Sequence, residues 1–173
     1  GCAQRVKALN SFLDDIYHGQ HILKEGLIPA DQVIAHEAFQ PHMLNHHLKG
    51  KVYSQISGID IIRDGQGDFF VLEDNLRTPS GVSYMIESRK ISQKLMPDLC
   101  ISNNLQGIEQ YPTLLRAILE ENAYVNKPLI VVLTPGRFNS AYYEHSFLAR
   151  EMDVPLVTSR DLFVENDRVF VKT

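Results

Sequence analysis

Apolar residues change their spacing along the chain, and each change marks a new element. Between residues 3 and 23 they recur every three or four positions, which predicts an amphipathic helix that ends near Gly19. Residues 27–49 have weak periodicity, two prolines and a group of histidines, so short helices and loops are predicted there. The first 50 residues are therefore expected to be a helical segment.

A β-hairpin is predicted in the next segment. Two apolar runs at residues 52–63 and 68–74 flank the glycine-rich link DGQG, a pattern typical of two antiparallel strands and their turn. Helical spacing returns after the sequence TPSG, where a helix is predicted with Ser80 or Gly81 near its N-cap. A further helix is predicted over residues 113–122.

The last part of the chain has the pattern of a parallel sheet. Residues 128–133 form a continuous apolar run, residues 141–152 have helical spacing and residues 155–157 are apolar again, which predicts a strand–helix–strand unit. Residues 161–173 predict a second hairpin. The expected fold class is α/β, with an α+β hairpin layer and a βαβ layer. The expected domain organisation has three segments: residues 1–50, 51–125 and 126–173.

Composition and charge narrow the class of partner. A chain of 173 residues that is 44% hydrophobic is long enough to bury a core. A formal net charge of -4 gives no electrostatic reason to bind nucleic acid or an anionic membrane. No apolar run approaches the roughly 18 residues that a membrane span needs. The expected partners are therefore small molecules or another protein.

Cysteine usage and the chain ends give two further expectations. Cys2 and Cys100 are isolated and form no CxxC pair, which argues against a disulfide framework or a structural zinc site. A reducing cytoplasm is the expected location. The chain begins without Met and its last residues still alternate like a strand, so we expect it to be a piece of a longer protein.

The predicted hairpin ends in oxygen-bearing side chains. Strand side chains alternate, so Glu73 and Asn75 share one face while Asp74 points to the other. A two-residue turn would pair Asp60 with Glu73, and a four-residue turn would pair it with Val71; both put Asp60 on the face of Glu73. A three-residue turn would move Asp60 to the opposite face. Two carboxylates and an amide oxygen suit Mg²⁺ or Mn²⁺.

The segment after this cluster has the groups of an anion site. Arg77 has a planar guanidinium that suits phosphate or carboxylate. Residues 78–83 supply hydroxyls and backbone N–H groups at the predicted start of a helix, where anions bind. A metal site beside an anion site suits phosphoryl chemistry. The alternative is that the acidic residues solvate the turn while Asn75 and Ser80 act as caps.

A histidine cluster is a second metal candidate. His42 and His46 are four residues apart with His47 beside them, a spacing that can hold Zn²⁺ on a helix. The glutamate of an HExxH motif is absent from this stretch, so loop or surface histidines are the favoured interpretation.

Several stretches resemble the circularly permuted ATP-grasp proteins, a bacterial family akin to glutathionylspermidine synthase. The resemblance runs from about His36 to the C-terminus and is strongest over residues 57–89 and 131–163. The stretches are HEAFQPHM, SGIDIIRD, VLEDNLRTPSGVSYMIESR and LTPGRFNSAYYEHSFLAREM. The resemblance implies a permuted ATP-grasp fold in which the βαβ unit is a Rossmann-like pre-ATP-grasp layer.

The resemblance also implies an activity. Relatives in that family are ATP-dependent carboxylate–amine ligases, in which a substrate carboxylate attacks the γ-phosphate of ATP and an amine opens the resulting acyl phosphate. In glutathionylspermidine synthase, Mg²⁺ is held by an Asp on one strand and a Glu-x-Asn on the next, which match Asp60, Glu73 and Asn75. Arg77 and Ser80 match the loop on the acyl-phosphate side and are the expected catalytic residues.

The remaining expected site residues bind substrate. Thr78 and Ser83 belong to the same loop and helix start as the catalytic pair. The loop after the first strand of the βαβ unit resembles the family's substrate-binding layer, which implies contacts from Arg137, Asn139 and Ser140. The alternative interpretation of that loop is that it forms only a turn and a helix cap. The expected ligands are ATP with Mg²⁺ or Mn²⁺ and small-molecule carboxylate and amine substrates.

Three function hypotheses follow, and they differ in their requirement for an amine. A ligase requires amine-dependent ATP use, a metal-dependent phosphohydrolase releases phosphate to water alone, and a non-catalytic binding module holds a small molecule or peptide without turnover. The ligase is the leading hypothesis: the sequence has no obvious nucleophile or second carboxylate cluster for a phosphohydrolase, and the intact acid–amide triad disfavours the binding module. The family's chains are longer, so further fused or associated domains are expected and the 173-residue chain alone is expected to be inactive.

Overall fold

Helices and short strands follow each other through the computed structural model, which describes residues 1–77 and 79–172. The α-helices are α1 (Cys2–Tyr17), α2 (His21–Lys24), α3 (Ala30–Ile34), α4 (Val82–Leu95), α5 (Pro97–Ser102), α6 (Tyr111–Glu121) and α7 (Tyr142–Glu151). The strands are β1 (Gly58–Arg63), β2 (Phe69–Asn75), β3 (Val132–Leu133), β4 (Leu156–Val157), β5 (Leu162–Glu165) and β6 (Arg168–Val171). Within this described part of the chain, no helix combines the length and apolar character needed to cross a membrane.

Internal contacts divide the chain into two compact units, Gly1–Pro79 and Ser80–Thr173. The first unit holds α1 to α3 and the β1–β2 hairpin, and the second holds α4 to α7 with β3 to β6. The three segments expected from the sequence stay a prediction, and the boundary between the compact units falls within the second of them.

Helix α1 is the scaffold of the first unit. Asn10 Oδ1 accepts hydrogen bonds from the backbone N–H groups of Tyr53 and Ser54 at 2.7 and 2.9 Å. One turn later, Asp14 accepts a hydrogen bond from the Tyr53 hydroxyl at 2.7 Å and pairs with Lys51 Nζ at 2.9 Å. Burial and the neighbouring Asp14 raise the pKa of Tyr53 to about 12. These contacts fix the segment that leads into β1.

Strands β1 and β2 form the predicted antiparallel hairpin. β1 begins at Gly58 rather than at residue 52, because the N–H groups of Tyr53 and Ser54 bond to α1 and not to a neighbouring strand. Arg5 of α1 holds the hairpin through Nε, which lies 2.8 and 2.7 Å from the two Asp74 carboxylate oxygens. Large apolar side chains of both strands are half exposed or more: Ile61, Phe69, Phe70 and Leu72.

The predicted strand–helix–strand unit is present in the second unit. β3 and β4 are parallel neighbours joined through α7, and Val132 pairs with Leu156. A backbone hydrogen bond of 2.8 Å from Thr134 N to Val157 O lies just beyond the pairing. The strand expected over residues 128–133 forms only at its last two positions. The α/β class predicted from the sequence is confirmed, although β3 and β4 have only two residues each.

The core of the second unit lies between α4 and α7. Phe147 of α7 is 1% exposed and Ile86 of α4 is also buried. The cationic groups of Lys90 and Arg150 each lie 5.3 Å from the centroid of the Phe147 ring. Such cation–π contacts add to the stabilisation that burial of the ring provides. Packing of Phe147 therefore holds the two helices together.

The second predicted hairpin is also confirmed. Glu165 of β5 pairs with Arg168 of β6, which leaves Asn166 and Asp167 as a two-residue turn. Both turn residues have left-handed backbone angles, with φ of 48° and 57°. A turn of this kind matches the right-handed twist of the flanking strands, and Asn and Asp tolerate the left-handed region better than most residues.

Candidate metal and substrate sites

The oxygen-bearing side chains of the β1–β2 hairpin meet on one face of the first unit. Asp60 pairs directly with Glu73 across the two strands. Asn75 lies two positions further along β2, and its Nδ2 donates a hydrogen bond of 3.0 Å to Glu73 Oε1. Asp74 points to the other face, where it binds Arg5 and is 11% exposed. The alternation expected from the sequence is therefore present.

A β-bulge sets the register that brings Asp60 to Glu73. Asp64 N bonds to Asp68 O, so the turn contains three residues, the length expected to move Asp60 to the opposite face. Leu72 is an extra residue on β2, because Ile61 pairs with Val71 while the next pair is Asp60 and Glu73. One extra residue shifts the pairing by one and reverses the effect of the odd turn. The bulge thus restores the predicted face.

The donor set of this face fits a hard divalent cation. It offers two carboxylates and one amide, and all three residues are exposed. The amide nitrogen of Asn75 is committed to Glu73, so its carbonyl oxygen is the atom left to bind a cation. Within residues 1–77 and 79–172 no group of three or more His, Cys, Asp or Glu residues is arranged to hold a metal. The face formed by Asp60, Glu73 and Asn75 suits Mg²⁺, because this ion commonly takes one or two carboxylates and completes its shell with water and phosphate.

The residues just after the hairpin lie in different settings. Arg77 is exposed, and across the described residues it has no ion-pair partner. Thr78 lies outside the described residues, so its expected role rests on the sequence. Ser80 is exposed and immediately precedes Gly81, the N-cap residue of α4, in the second unit.

The start of α4 is already bound to an internal carboxylate. Glu144 accepts hydrogen bonds from Gly81 N at 2.9 Å, from Ser83 N at 3.0 Å and from Ser83 Oγ at 2.7 Å. Ser83 is 0% exposed and Glu144 is 6% exposed. This corrects the expectation that Ser83 contacts substrate, because its side chain is buried and its donors serve Glu144. The anion at this helix start is supplied by the protein itself.

Glu144 was not among the site residues predicted from the sequence. The sequence marks Glu144 only as an acidic residue in the first turn of α7. A negative charge there is already explained by the dipole of α7 itself, so it indicates no second role. The partner lies 61 residues away in Ser83, and no local pattern indicates which distant helix start would need a carboxylate. Only the packing of α7 against α4 brings the two together.

The Glu144 carboxylate makes the stability of the second unit depend on pH. Burial raises the pKa of Glu144, but the hydrogen bonds from Ser83 and Gly81 lower it by more, so the net pKa lies below the usual 4.5. A lowered folded-state pKa means that this stabilisation is present above pH 4.5 and is lost as pH falls through the folded pKa.

We therefore expect the melting-temperature difference between wild type and Glu144→Gln to be largest near neutral pH and to shrink as pH falls below 4.5 and through the folded-state pKa. Thermal unfolding of both proteins across that range, followed by circular dichroism, measures this difference. A difference that stays constant with pH would contradict the assignment of a charged carboxylate at the start of α4.

The loop after β3 contains the other predicted substrate contacts. Arg137, Asn139 and Ser140 are all exposed. The guanidinium of Arg137 lies 4.9 Å from the ring centroid of Phe138, which is 91% exposed. Asn139 Oδ1 accepts a hydrogen bond of 2.9 Å from Ala141 N, so Asn139 has the turn-capping role that the alternative interpretation gave it. The guanidinium of Arg137 and the Ser140 hydroxyl belong to the exposed polar residues of this loop.

The histidine cluster is not arranged as a metal site. His47 stacks on His18, the C-cap residue of α1, with ring centroids 4.6 Å apart. His46 has a partner of its own. In the described ranges no set of three or more metal-ligating residues includes these histidines. The favoured interpretation of loop histidines agrees with this arrangement.

Comparison with known proteins identifies the class. A family profile described as "A circularly permuted ATPgrasp" matches residues 1–173. An uncharacterized protein of Mycobacterium tuberculosis strain H37Rv is 46% identical over 175 residues, covering 100% of this chain and 32% of the relative. An uncharacterized protein of Synechocystis is 44% identical over 175 residues, covering 100% of this chain and 36% of the relative. The chain thus spans about a third of the length of these relatives.

A more distant relative has a functional name. A Frankia casuarinae protein named "Putative glutamate--cysteine ligase 2-2" is 36% identical over 172 residues, covering 98% of this chain and 20% of the relative. The fold and the face of oxygen ligands agree with an ATP-grasp protein. The chain belongs to the circularly permuted ATP-grasp family.

Proposed function

We propose that the protein containing this chain is an ATP-dependent carboxylate–amine ligase of the glutathionylspermidine synthase type. The observation that carries the proposal is the direct pairing of Asp60 with Glu73, with Asn75 bonded to Glu73 on the same face. Membership of the ATP-grasp family supports the use of ATP. A relative named as a glutamate–cysteine ligase supports an amino acid as one of the substrates.

The proposed role of the hairpin is to hold the cation that accompanies ATP. Asp60 and Glu73 would bind Mg²⁺ or Mn²⁺ through carboxylate oxygens, and Asn75 through its carbonyl oxygen. The cation supplies neutralisation of phosphate charge when it is bound. The hydrogen bond from Asn75 to Glu73 keeps both side chains oriented before the cation arrives.

The proposed reaction has two steps. An oxygen of the substrate carboxylate bonds to the γ-phosphorus as the bond from that phosphorus to ADP breaks, which gives an acyl phosphate and ADP. The amine nitrogen then bonds to the acyl carbon, phosphate leaves with the carboxylate oxygen, and the nitrogen loses a proton to give an amide. Arg77 would stabilise charge on the transferring phosphoryl group, because a guanidinium offers paired donors to phosphate oxygens.

The exposed groups of the second unit would bind the substrates. Ser80 would donate its hydroxyl to the acyl-phosphate oxygens. Thr78, which precedes the second unit and lies outside the described residues, keeps its proposed substrate-binding role on sequence grounds. Arg137 would bind a substrate carboxylate, with Ser140 as a further hydrogen-bonding group. Asn139 would act through the shape of its loop, which its side chain caps.

The location is part of the same proposal. Cys2 and Cys100 are both free thiols, which suits a reducing compartment such as the cytoplasm. ATP as a substrate is in keeping with that location.

The test is ADP release by the full-length protein with ATP and Mg²⁺. We expect release to require both an acid and an amine, supplied as glutamate, cysteine, mixed amino acids and polyamines. Equal release without any amine would favour a phosphohydrolase. Binding of ATP and Mg²⁺ without release under every combination would favour the binding module. The 173-residue chain alone is expected to release none.

A further inference from the structure

One buried carboxylate lies between the start of α4 and the first turn of α7, and each of these helix starts follows a proposed substrate loop. Gly81 follows Ser80, and the two oxygens of Glu144 both lie 2.9 Å from Gly81 N. Glu144 itself lies in the first turn of α7, four residues after Ser140 and the loop that begins after β3. The Glu144 side chain therefore bonds to the start of α4, directly after Ser80, while its backbone belongs to the first turn of the helix that follows the Arg137–Ser140 loop.

This contact does more than an ordinary helix cap. A cap is usually provided by the side chain of the N-cap residue, but the N-cap of α4 is Gly81, which has none. Gly81 has φ of 103°, in the left-handed region of the backbone that favours glycine. The missing cap is supplied from a different helix. Its loss would therefore free two segments, not one.

The charge of Glu144 is compensated by hydrogen-bond donors at the start of α4. The carboxylate is buried, and its hydrogen-bond donors are the Gly81 and Ser83 groups at the positive end of α4. A buried carboxylate requires such donors, because an unpaired buried charge is strongly destabilising. Glu144 and the start of α4 therefore fix each other's position.

We propose that Glu144 is a positioning residue, which holds the Ser80–Gly81 turn and the Arg137–Ser140 loop in a single arrangement. It touches no substrate; it acts through the backbone of Gly81 and through the start of α7. Its importance for catalysis rests on the proposed function, in which Ser80 and Arg137 contact the substrates. The coupling of the two loops does not depend on which reaction the protein catalyses.

The experiment compares Glu144→Gln with a matched control in the full-length protein. Glu151 lies in α7 as well and also reaches α4, through Lys90 Nζ at 3.7 Å, but it does so at the end of α7 away from both loops. Glu151→Gln therefore removes a contact between the same helices and leaves Glu144 in place. Glu144→Asp tests whether a charge on a shorter side chain can restore the arrangement.

Hydrogen exchange of peptides from residues 79–83 and 134–141 is the first readout. We expect Glu144→Gln to raise exchange about 10-fold or more in both peptides, and Glu151→Gln to leave both unchanged. Faster exchange confined to residues 79–83, with residues 134–141 as in wild type, would reduce Glu144 to a cap of α4 and overturn the proposal.

Steady-state ADP release is the second readout, measured with glutamate, mixed amines and ATP well below the melting temperature. We expect Glu144→Gln to raise KM for glutamate about 10-fold with a smaller change in KM for ATP, and Glu144→Asp to recover part of the loss. Equal changes in both KM values, or none, would overturn the positioning role. If Glu144→Gln raises hydrogen exchange in both peptides but the wild-type protein shows no turnover, the proposed function is wrong and the link between the two loops still stands.

Discussion

Replacing Glu73 by glutamine in the full-length protein is expected to lower magnesium-dependent ADP release by at least about 100-fold. The substitution keeps the size of the side chain and the hydrogen-bonding partner of Asn75, but it removes one of the two carboxylates on the face shared with Asp60. A cation held by one carboxylate instead of two binds more weakly and neutralises less phosphate charge. Asp60→Asn is expected to have an effect of the same size.

The matched control for this prediction is Asp74→Asn. Asp74 is the next residue on β2, but its side chain lies on the opposite face and binds Arg5. Its loss removes a single ion pair of the first unit, which typically contributes about 0–1 kcal/mol, so activity should stay within a few-fold of wild type. If Asp74→Asn abolished turnover while Glu73→Gln retained it, the oxygen cluster would be on the wrong face of the hairpin.

Replacing Phe147 by alanine is expected to lower the opening free energy of the α4–α7 core by about 3–5 kcal/mol. Phe147 is 1% exposed and its ring is flanked by Lys90 and Arg150. The substitution removes buried apolar surface, leaves a cavity between the two helices and ends both cation–π contacts. Hydrogen exchange of α7 in the full-length protein measures the change, as loss of protection by at least about 100-fold.

Phe138 provides the comparison for this prediction. It is the same residue type in the loop before α7, but it is 91% exposed. Phe138→Ala is expected to change the opening free energy by no more than about 0.5 kcal/mol, since it buries almost nothing. Similar losses of protection in the two variants would mean that the core does not lie between α4 and α7.

The elements of the fold could be predicted from the sequence where the pattern is local. Both hairpins and the strand–helix–strand unit follow from apolar spacing and from turn residues such as Asn166 and Asp167. The extent of the strands could not be predicted, because competing partners decide it. The N–H groups of Tyr53 and Ser54 bond to Asn10, and β1 therefore begins several residues late.

The candidate metal face could also be predicted only in part. Alternation on β2 predicts that Glu73 and Asn75 share a face, because that depends on one strand only. The face on which Asp60 lies depends on the length of the turn and on the pairing of every residue between Asp60 and Glu73. Here two irregularities, an odd turn length and a bulge, cancel each other. The three-residue turn alone would have put Asp60 on the opposite face, and the bulge at Leu72 brings it back.

The helix start at Gly81 shows what a sequence pattern leaves open. Small and hydroxyl residues before a helix predict a group of anion-binding donors, and those donors are present. Which anion they hold depends on tertiary packing. Glu144 reaches them from α7, so Ser83 serves the fold while the exposed Ser80 stays available for a ligand.

The most direct test of the proposed ligase is the path of oxygen during turnover. The full-length protein is supplied with ATP, Mg²⁺, the amine mixture and glutamate whose carboxylates carry ¹⁸O, and the released phosphate is analysed by mass spectrometry. A ligase that forms an acyl phosphate transfers one ¹⁸O from the acid to each phosphate, and we expect that label in wild type. Phosphate that acquires its oxygen from water instead, with no label from the acid, would contradict the account.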